Sequence, residues 1–487
     1  MSRSLIQHQK FSAPCNRLCL LSSLSVFALS LAPAIADCPA DLSGDLAVNG
    51  TDLAVILSSW GGPGGDITGD GTTDGTDLAA LLGAWGPCPA PPTEWLLITT
   101  LGTTTTAYDA SGAVAKTWVG AGGGASVGYL QGDGSLVRPT RDVAGVYPGA
   151  ARGGRIQIFN PDGTLVNDLL VSTTAYQQHH DIRPIPNGNI LCIVWEGHTQ
   201  AEGLAAGRQN LTGVIWSESI LEIQPTGFST FNIVWRWNLW DHLVQDVNSS
   251  LANFGSVIAH PELVDINVGA VSAQMGIGDW IHMNSIDYNP TLDQIVVSSR
   301  TLNELWVIDH STTTAQAATH TGGNSGRGGD LLYRWGNPVN YDRGTAANQS
   351  FFVVHSATWI DAGLPGADNI MAFVNGDRAG TANDYSTVME IVPPRDASGN
   401  YVIEPTLAFG PSTPVWSYGS QNQMYGGPTQ CGAFRTLDNT TLITLTNSGL
   451  VFEVNSAGQT IWTRANPGLT IARAVRYRQV DGEWVGP

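Results

Sequence analysis

Short apolar runs broken by turn residues recur from Trp95 to the end of the chain. Arg155–Phe159 precedes Asn160-Pro161-Asp162-Gly163, and Ile190–Trp195 follows Pro186-Asn187-Gly188-Asn189. Gln294–Ser298, Leu305–Ile308, Thr441–Leu445 and Leu450–Val454 are of the same kind. Short strands bounded by Gly, Pro, Asn and Asp predict an all-β region. A unit repeats loosely: strand, polar turn, strand, then an aromatic-rich segment. Ile156–Gly163 and Val451–Gly458 show it, the latter followed by Ile461-Trp462. Such repetition over roughly 400 residues favours a β-propeller over one sandwich, and about six blades fit the length. The propeller is expected over 95–487.

The pattern changes upstream. DLSGDLAVNGTDLAVILSSW at 41–60 returns as DITGDGTTDGTDLAALLGAW at 66–85. Oxygen donors fall at loop positions one, three, five, nine and twelve of each copy. They are Asp41, Ser43, Asp45, Asn49 and Asp52, then Asp66, Thr68, Asp70, Asp74 and Asp77. Calcium takes several hard oxygens, and this spacing wraps a short loop around one ion. No Lys or Arg lies between Asp37 and Pro92 to balance these acids. Each loop opens a helix, with Leu53, Ile56, Leu57 and Trp60 on one face, and Leu78, Leu81, Leu82 and Trp85 on the other copy's. Residues 37–88 therefore resemble a dockerin-type calcium module, preceding the propeller as a small helical EF-hand-type unit. That resemblance implies Ca²⁺ in the N-terminal module and a cohesin-like protein partner. Leu46 stands where the turn glycine belongs, while the second copy keeps Gly71, so the first loop is expected to bind more weakly. The Pro-rich stretch 89–94 reads as a linker.

Residues 1–36 read as a signal peptide. Arg3, Lys10 and Arg17 precede an apolar stretch that ends in Pro33 and Ala34-Ile35-Ala36. Export to the periplasm, cell surface or extracellular space follows, with no membrane span after cleavage; an uncleaved anchor is the alternative. Of six cysteines, Cys38, Cys88, Cys192 and Cys431 then remain. Cys38 and Cys88 bracket the repeated module and are expected to be bridged, which leaves Cys192 and Cys431 either paired by arithmetic or as inert buried thiols. A net charge of −19 argues against a nucleic-acid partner, because phosphate binding needs a basic footprint.

Candidate chemistry lies in four segments: Gln178–Arg183, Trp280–Tyr288, Ser298-Ser299-Arg300 and Val354–Trp359. His180, His282 and His355 are 102 and 73 residues apart, separations of one or two blades. Single histidines are usually structural; three in equivalent contexts are harder to dismiss. At these segments the chain resembles the arylsulfotransferase family of the cofactor-independent aryl-sulfate type, from about Gln178 to Pro467, with Phe434 through Trp462 similar to that family's closing blade.

The resemblance implies sulfuryl transfer from a phenolic sulfate donor to a phenol acceptor, without a catalytic cofactor. His355 matches the nucleophile, and His282 with Arg300 matches the sulfuryl-binding pair. The remaining histidine falls in His179-His180, with His180 preferred. His179 and Asn284 are expected to touch substrate. An imidazole can attack sulfur and later leave, and Arg suits a tetrahedral oxyanion. Asp181 is a candidate to orient an imidazole, and His242 a candidate channel residue. Two other readings stand beside this one. One is a non-catalytic extracellular propeller scaffold attached through its calcium module; the other is a three-histidine metal site, against which Arg300 argues.

Overall fold

The computed structural model describes residues 38–45, 47–88, 93–149, 152–271, 278–376 and 384–486. The signal peptide, Leu46 and most of the linker lie outside the described residues. The chain divides into two compact units, Met1–Pro91 and Pro92–Pro487.

In the first unit the helices Gly50–Ser58 and Gly75–Gly83 each begin at a capping box, Asn49 with Asp52 and Asp74 with Asp77. Ala47–Val48 pairs antiparallel with Gly86–Pro87, and a Cys38–Cys88 disulfide closes the unit. Ala40, Val48, Ile56 and Leu81 form its core, with Leu53 and Leu78 packed against it. The expected apolar faces therefore split. Leu57, Trp60, Leu82 and Trp85 are each at least half exposed, because a unit this small can bury only one stripe of each nine-residue helix.

The second unit is a ring of six antiparallel sheets. Blade two holds Tyr129–Leu130, Leu136–Arg141, Gly154–Phe159 and Leu165–Leu170. Blade three holds Tyr176–Pro184, Ile190–His198, Ile215–Gly227 and Thr230–Asn238. Blade four holds Met283–Asn289, Gln294–Ser299, Glu304–Asp309 and Tyr333–Trp335. Blade five holds Val354–Trp359, Ile370–Val374, Thr387–Ile391 and Trp416–Tyr418. Blade six holds Gly432–Arg435, Thr441–Leu445, Leu450–Val454 and Thr460–Ala465.

Blade one joins both ends of the unit. Ile471–Val480 pairs with Glu94–Thr100, which continues through Thr104–Tyr108 to Val114–Val119. Closure therefore falls on blade one, and the Phe434–Trp462 segment is blade six, an ordinary blade. Closing the ring in this way removes an exposed sheet edge from each terminus.

Apolar side chains pack between neighbouring blades. Leu191, Ile193, Trp235 and Trp237 of blade three meet Ile286, Ile295, Val297 and Trp306 of blade four. Both faces of the middle strands are covered, which is why Ile190–Trp195 reads as a continuous apolar run rather than an alternation. The many tryptophans fill these gaps: Trp118, Trp195, Trp237, Trp280 and Trp306 are fully buried. Cys192 and Cys431 are free thiols, each buried in a different interblade cluster, so the arithmetic pairing does not occur.

Candidate active site

The first strand of each blade is expected to run along the propeller axis, and the singled-out histidines lie on or beside three such strands in consecutive blades. His179 and His180 are on Tyr176–Pro184, His282 immediately precedes Met283–Asn289, and His355 is the second residue of Val354–Trp359. Each of these strands slips register at the histidine or just after it: between Gln178 and Ile182, Met283 and Ser285, and His355 and Thr358. The backbone turns left-handed there, with φ +49° at His180, +54° at His282 and +55° at Ser356. Non-glycine residues rarely adopt this region, and such bulges re-aim side chains.

Three contacts set blades four and five against each other. Asn284 Nδ2 donates to the Val354 carbonyl (2.7 Å), Ala357 N donates to Ser285 Oγ (2.8 Å), and Trp359 N donates to Asp287 Oδ2 (2.8 Å). Asn284 Oδ1 also accepts from Ser298 Oγ (2.5 Å), so both ends of its amide are engaged in holding the strands. Trp280 and Trp359 are buried packing groups, and the Trp280 indole donates to the Val268 carbonyl.

Each axial ring has a partner on Nδ1. For His355 it is Asn375 Oδ1 at 2.6 Å, while Asn375 Nδ2 donates to the Gly427 (2.8 Å) and Gln430 (3.1 Å) carbonyls. Those carbonyls only accept, so they fix the amide orientation. Asn375 then offers an acceptor to His355, whose Nδ1 carries the proton and whose Nε2 keeps its lone pair. Burial, and next the Arg300 guanidinium, hold the His355 imidazole well below the usual range. The ring is neutral at pH 7 with an available nitrogen. For His282 the Nδ1 partner is the buried Asp279 carboxylate.

His180 is the member of the adjacent pair that meets the other site rings. It stands edge-on to His282 with ring centroids 4.6 Å apart. His179 lies behind it, stacked on Trp195 at 4.0 Å. The two Nδ1 atoms are 2.8 Å apart, and His179 Nε2 is 2.8 Å from Glu218 Oε2. Burial, then the nearby Asp279 charge, push the Glu218 carboxyl well above its ordinary range. Two proton arrangements satisfy this row. With Glu218 ionised, His179 donates to it and accepts from His180, whose Nε2 is left an acceptor. With Glu218 protonated, every proton moves one place and His180 presents an Nε2–H donor. The row can therefore exchange a proton at one nitrogen, His180 Nε2.

Arg300 follows the second strand of blade four, and its N–H donates to the His282 carbonyl at 3.0 Å. The eighteen-residue spacing of His282 and Arg300 is thus one hairpin, which returns the arginine to the histidine that opened it. A second arginine, not singled out in the sequence, joins the site. Arg473, fully buried on the closing strand, donates to Asp181 Oδ2 (2.8 Å) and reaches the Cys431 and Asn284 carbonyls. Asp181 accepts from Arg473, Tyr129 and the Ile182 N–H, so it braces that arginine rather than an imidazole. Glu218, Asp279 and Asn375 were likewise missed. A lone Glu, Asp or Asn inside a strand or loop carries no signal until the fold sets it against a ring. His242 is held by Asp330 and the Ala317 carbonyl, not by the axial rings.

The predicted calcium ligands occupy the first unit's two loops. Asp41 Oδ1 accepts from Gly44 N and Asp45 N, and Asp66 accepts from Gly69 N, Asp70 N and Gly71 N. Asn49 and Asp74 cap the helices, accepting from Thr51 N and Thr76 N. Asp52 and Asp77 are buried and accept backbone N–H groups across their loops; Ser43 and Thr68 are among those donors. Asp70 accepts from Thr72 N. Carboxylate oxygens of Asp41, Asp45 and Asp52 lie within 4.8 Å of one another. An all-oxygen set of this kind fits a hard divalent cation.

The second unit is thus a six-bladed propeller with three histidines on or beside the first strands of consecutive blades and Arg300 returned to them by a hairpin. This chain belongs to the arylsulfotransferase (ASST) family, whose model matches residues 146–404. The match starts earlier and stops earlier than the motifs alone suggest, and it contains all three histidines and Arg300. No curated protein matches the chain. Among solved structures, a Bacteroides caccae protein of unknown function is similar at 10% identity and TM-score 0.41, covering 79% of this chain and 98% of its own. The β-propeller domain of Cps50 (Swd1) from Myceliophteria thermophila gives 10% identity and TM-score 0.39, covering 81% and 96%. A periplasmic gluconolactonase of Pseudomonas aeruginosa gives 13% and 0.37, covering 79% and 99%. Among the described residues, no helix is long and apolar enough to cross a membrane.

Proposed function

We propose that the protein transfers a sulfuryl group from an aryl sulfate to a phenol through a sulfohistidine at His355. The observation that carries this reading is the neutral His355 ring, its Nδ1–H committed to Asn375 and Arg300 beside it. His355 Nε2 attacks sulfur, the bond from sulfur to the aryl oxygen breaks, and the departing phenolate takes a proton from His180 or His282. The acceptor phenol then attacks the same sulfur, the N–S bond breaks, and the phenolic proton returns to the histidine that gave one up. Arg300 holds the peripheral sulfuryl oxygens, and Arg473 adds positive charge behind the site.

The N-terminal unit is the attachment element in this reading. It binds calcium through its two loops, and the outward Leu57, Trp60, Leu82 and Trp85 offer each repeat an apolar patch for a cohesin-like partner. The acidic repeats and their oxygen-only donors support this. Incubation with a chromogenic aryl sulfate, with and without added phenol, tests the activity. Release of the donor phenol that accelerates with acceptor is expected. A protein that releases no phenol from any aryl sulfate donor would fit the scaffold reading instead.

A further inference from the structure

Outside the axial cluster, a second group of histidines converges on one carboxylate. His242 ends the short 3₁₀ turn Leu239–His242 that follows blade three. His320 and Asp330 come from the loop between the third and fourth strands of blade four. His242 Nδ1 lies 2.9 Å from Asp330 Oδ1, and His320 Nδ1 lies 2.7 Å from the same oxygen.

We propose that His242, His320 and Asp330 form a site for one divalent transition-metal ion, with zinc the ion the donors suit. The argument begins at the other nitrogen of His242. Its Nε2 lies 2.8 Å from the Ala317 carbonyl oxygen. A carbonyl only accepts, so Nε2 carries the proton, and Nδ1 of the neutral ring presents a lone pair. That lone pair faces a carboxylate oxygen in a fully buried position. Two lone pairs in that arrangement need a proton between them, on the ring or on the carboxyl, or a metal ion.

His320 brings a third donor to the same oxygen. An ion pair of His242 with Asp330 is complete by itself. A second imidazole turned Nδ1-first onto the same oxygen can add a hydrogen bond to that pair, and it also supplies the third ligand a metal needs. The Ala317 carbonyl does for His242 what outer hydrogen-bond partners do for metal-bound histidines: it fixes the tautomer and the ring plane.

The surroundings hold the group in place. Trp237 lies parallel to the His242 ring at 5.7 Å, and its indole donates to the Gly329 carbonyl at 2.7 Å. Gly329 packs so closely that a Cβ there would stand 2.0 Å from the Ala317 oxygen and 2.5 Å from His242 Nε2. The His320 side chain is 60% exposed and lines a cavity of about 440 Å³ with Trp240, Asp241 and His260, so solvent reaches the group from the His320 side. Two imidazoles, one carboxylate and an open position suit zinc rather than calcium or magnesium. Such an ion would clasp the segment after blade three to the long loop of blade four.

The test uses the full chain, stripped with chelator, reloaded with zinc chloride and desalted before elemental analysis. The axial histidines are a second place for zinc, so the comparison is between wild type and His320→Ala. That ring is exposed, and circular dichroism checks that the variant is folded. Wild type is expected to retain about one more zinc per chain than His320→Ala, whose affinity at this site falls about tenfold or more. Zinc should raise the unfolding midpoint of wild type and not of the variant. Cobalt loading gives a second readout, with ligand-field absorption expected in wild type and weakened in Asp330→Asn by this site's share. Equal zinc content and equal midpoint shifts in wild type and His320→Ala would overturn the proposal.

Discussion

The side-chain oxygen of Asn375 lies 2.6 Å from Nδ1 of His355, and the amide is held in that orientation by two backbone carbonyls on its other end. The contact determines which imidazole nitrogen is free. Asn375→Leu removes the tautomer preference and strands the Nδ1–H in a buried position. One hydrogen bond of about 1 kcal/mol corresponds to roughly a fivefold loss. The first half-reaction should fall by that factor, with the donor's affinity little changed. A loss confined to KM would mean that Asn375 only shapes the substrate pocket.

The pH profile follows from the same ring. His355 acts unprotonated, and burial followed by Arg300 lowers its pKa below the usual imidazole range. Activity is therefore present above that lowered pKa and lost as pH falls through it. Donor cleavage should hold down to pH values below those at which an ordinary histidine protonates. Arg300→Ala should lower transfer roughly a hundredfold through lost oxyanion stabilisation. It should also move the acid limb to higher pH, because one cation beside His355 is gone. An unmoved limb in a slowed variant would mean that Arg300 does not act on this ring.

Glu218 offers a test of the proton row. In Glu218→Gln the amide oxygen can accept from Met283 N, as Glu218 Oε1 does at 2.9 Å, and its NH₂ then donates to His179 Nε2. His179 must then donate from Nδ1, and His180 is locked as an Nε2–H donor. The two half-reactions should slow unequally, one of them by roughly a hundredfold. Equal slowing of both would assign Glu218 a purely structural part.

For the N-terminal unit, calorimetric titration of the full chain should show two calcium sites. Asp66→Asn should remove the tighter, because Gly71 takes the left-handed turn (φ +93°) that a bulkier residue resists. Asp41→Asn should remove the weaker. A chain that takes up no calcium, or whose uptake neither substitution alters, contradicts the module's role.

Much of this was legible in the sequence because strands and turns are local. The predicted runs Thr441–Leu445 and Leu450–Val454 coincide with the observed strands, and Arg155–Phe159 misses by one residue. His180, His282 and His355 could be picked out because each stands in a recurring context, and Arg300 because it shares a hairpin with His282. The partners were not legible. Asn375, Glu218, Asp279 and Arg473 lie 20, 39, 3 and 292 residues from the groups they hold, and no spacing rule links them. Asp181 misled for the opposite reason: adjacency in sequence suggested an imidazole, but alternation along the strand turned its carboxylate toward Arg473. The split apolar faces of Leu57 and Trp60 went unseen because helical periodicity gives a stripe but not the size of the core that must cover it.

The most direct measurement is mass spectrometry of the protein after exposure to an aryl sulfate donor without acceptor, with peptide mapping under conditions that preserve N–S bonds. A single added sulfuryl group on the His355 peptide is expected, discharged on adding phenol and absent from His355→Ala. An active protein that never carries the group at His355, or a fully active His355→Ala variant, would contradict the sulfohistidine mechanism.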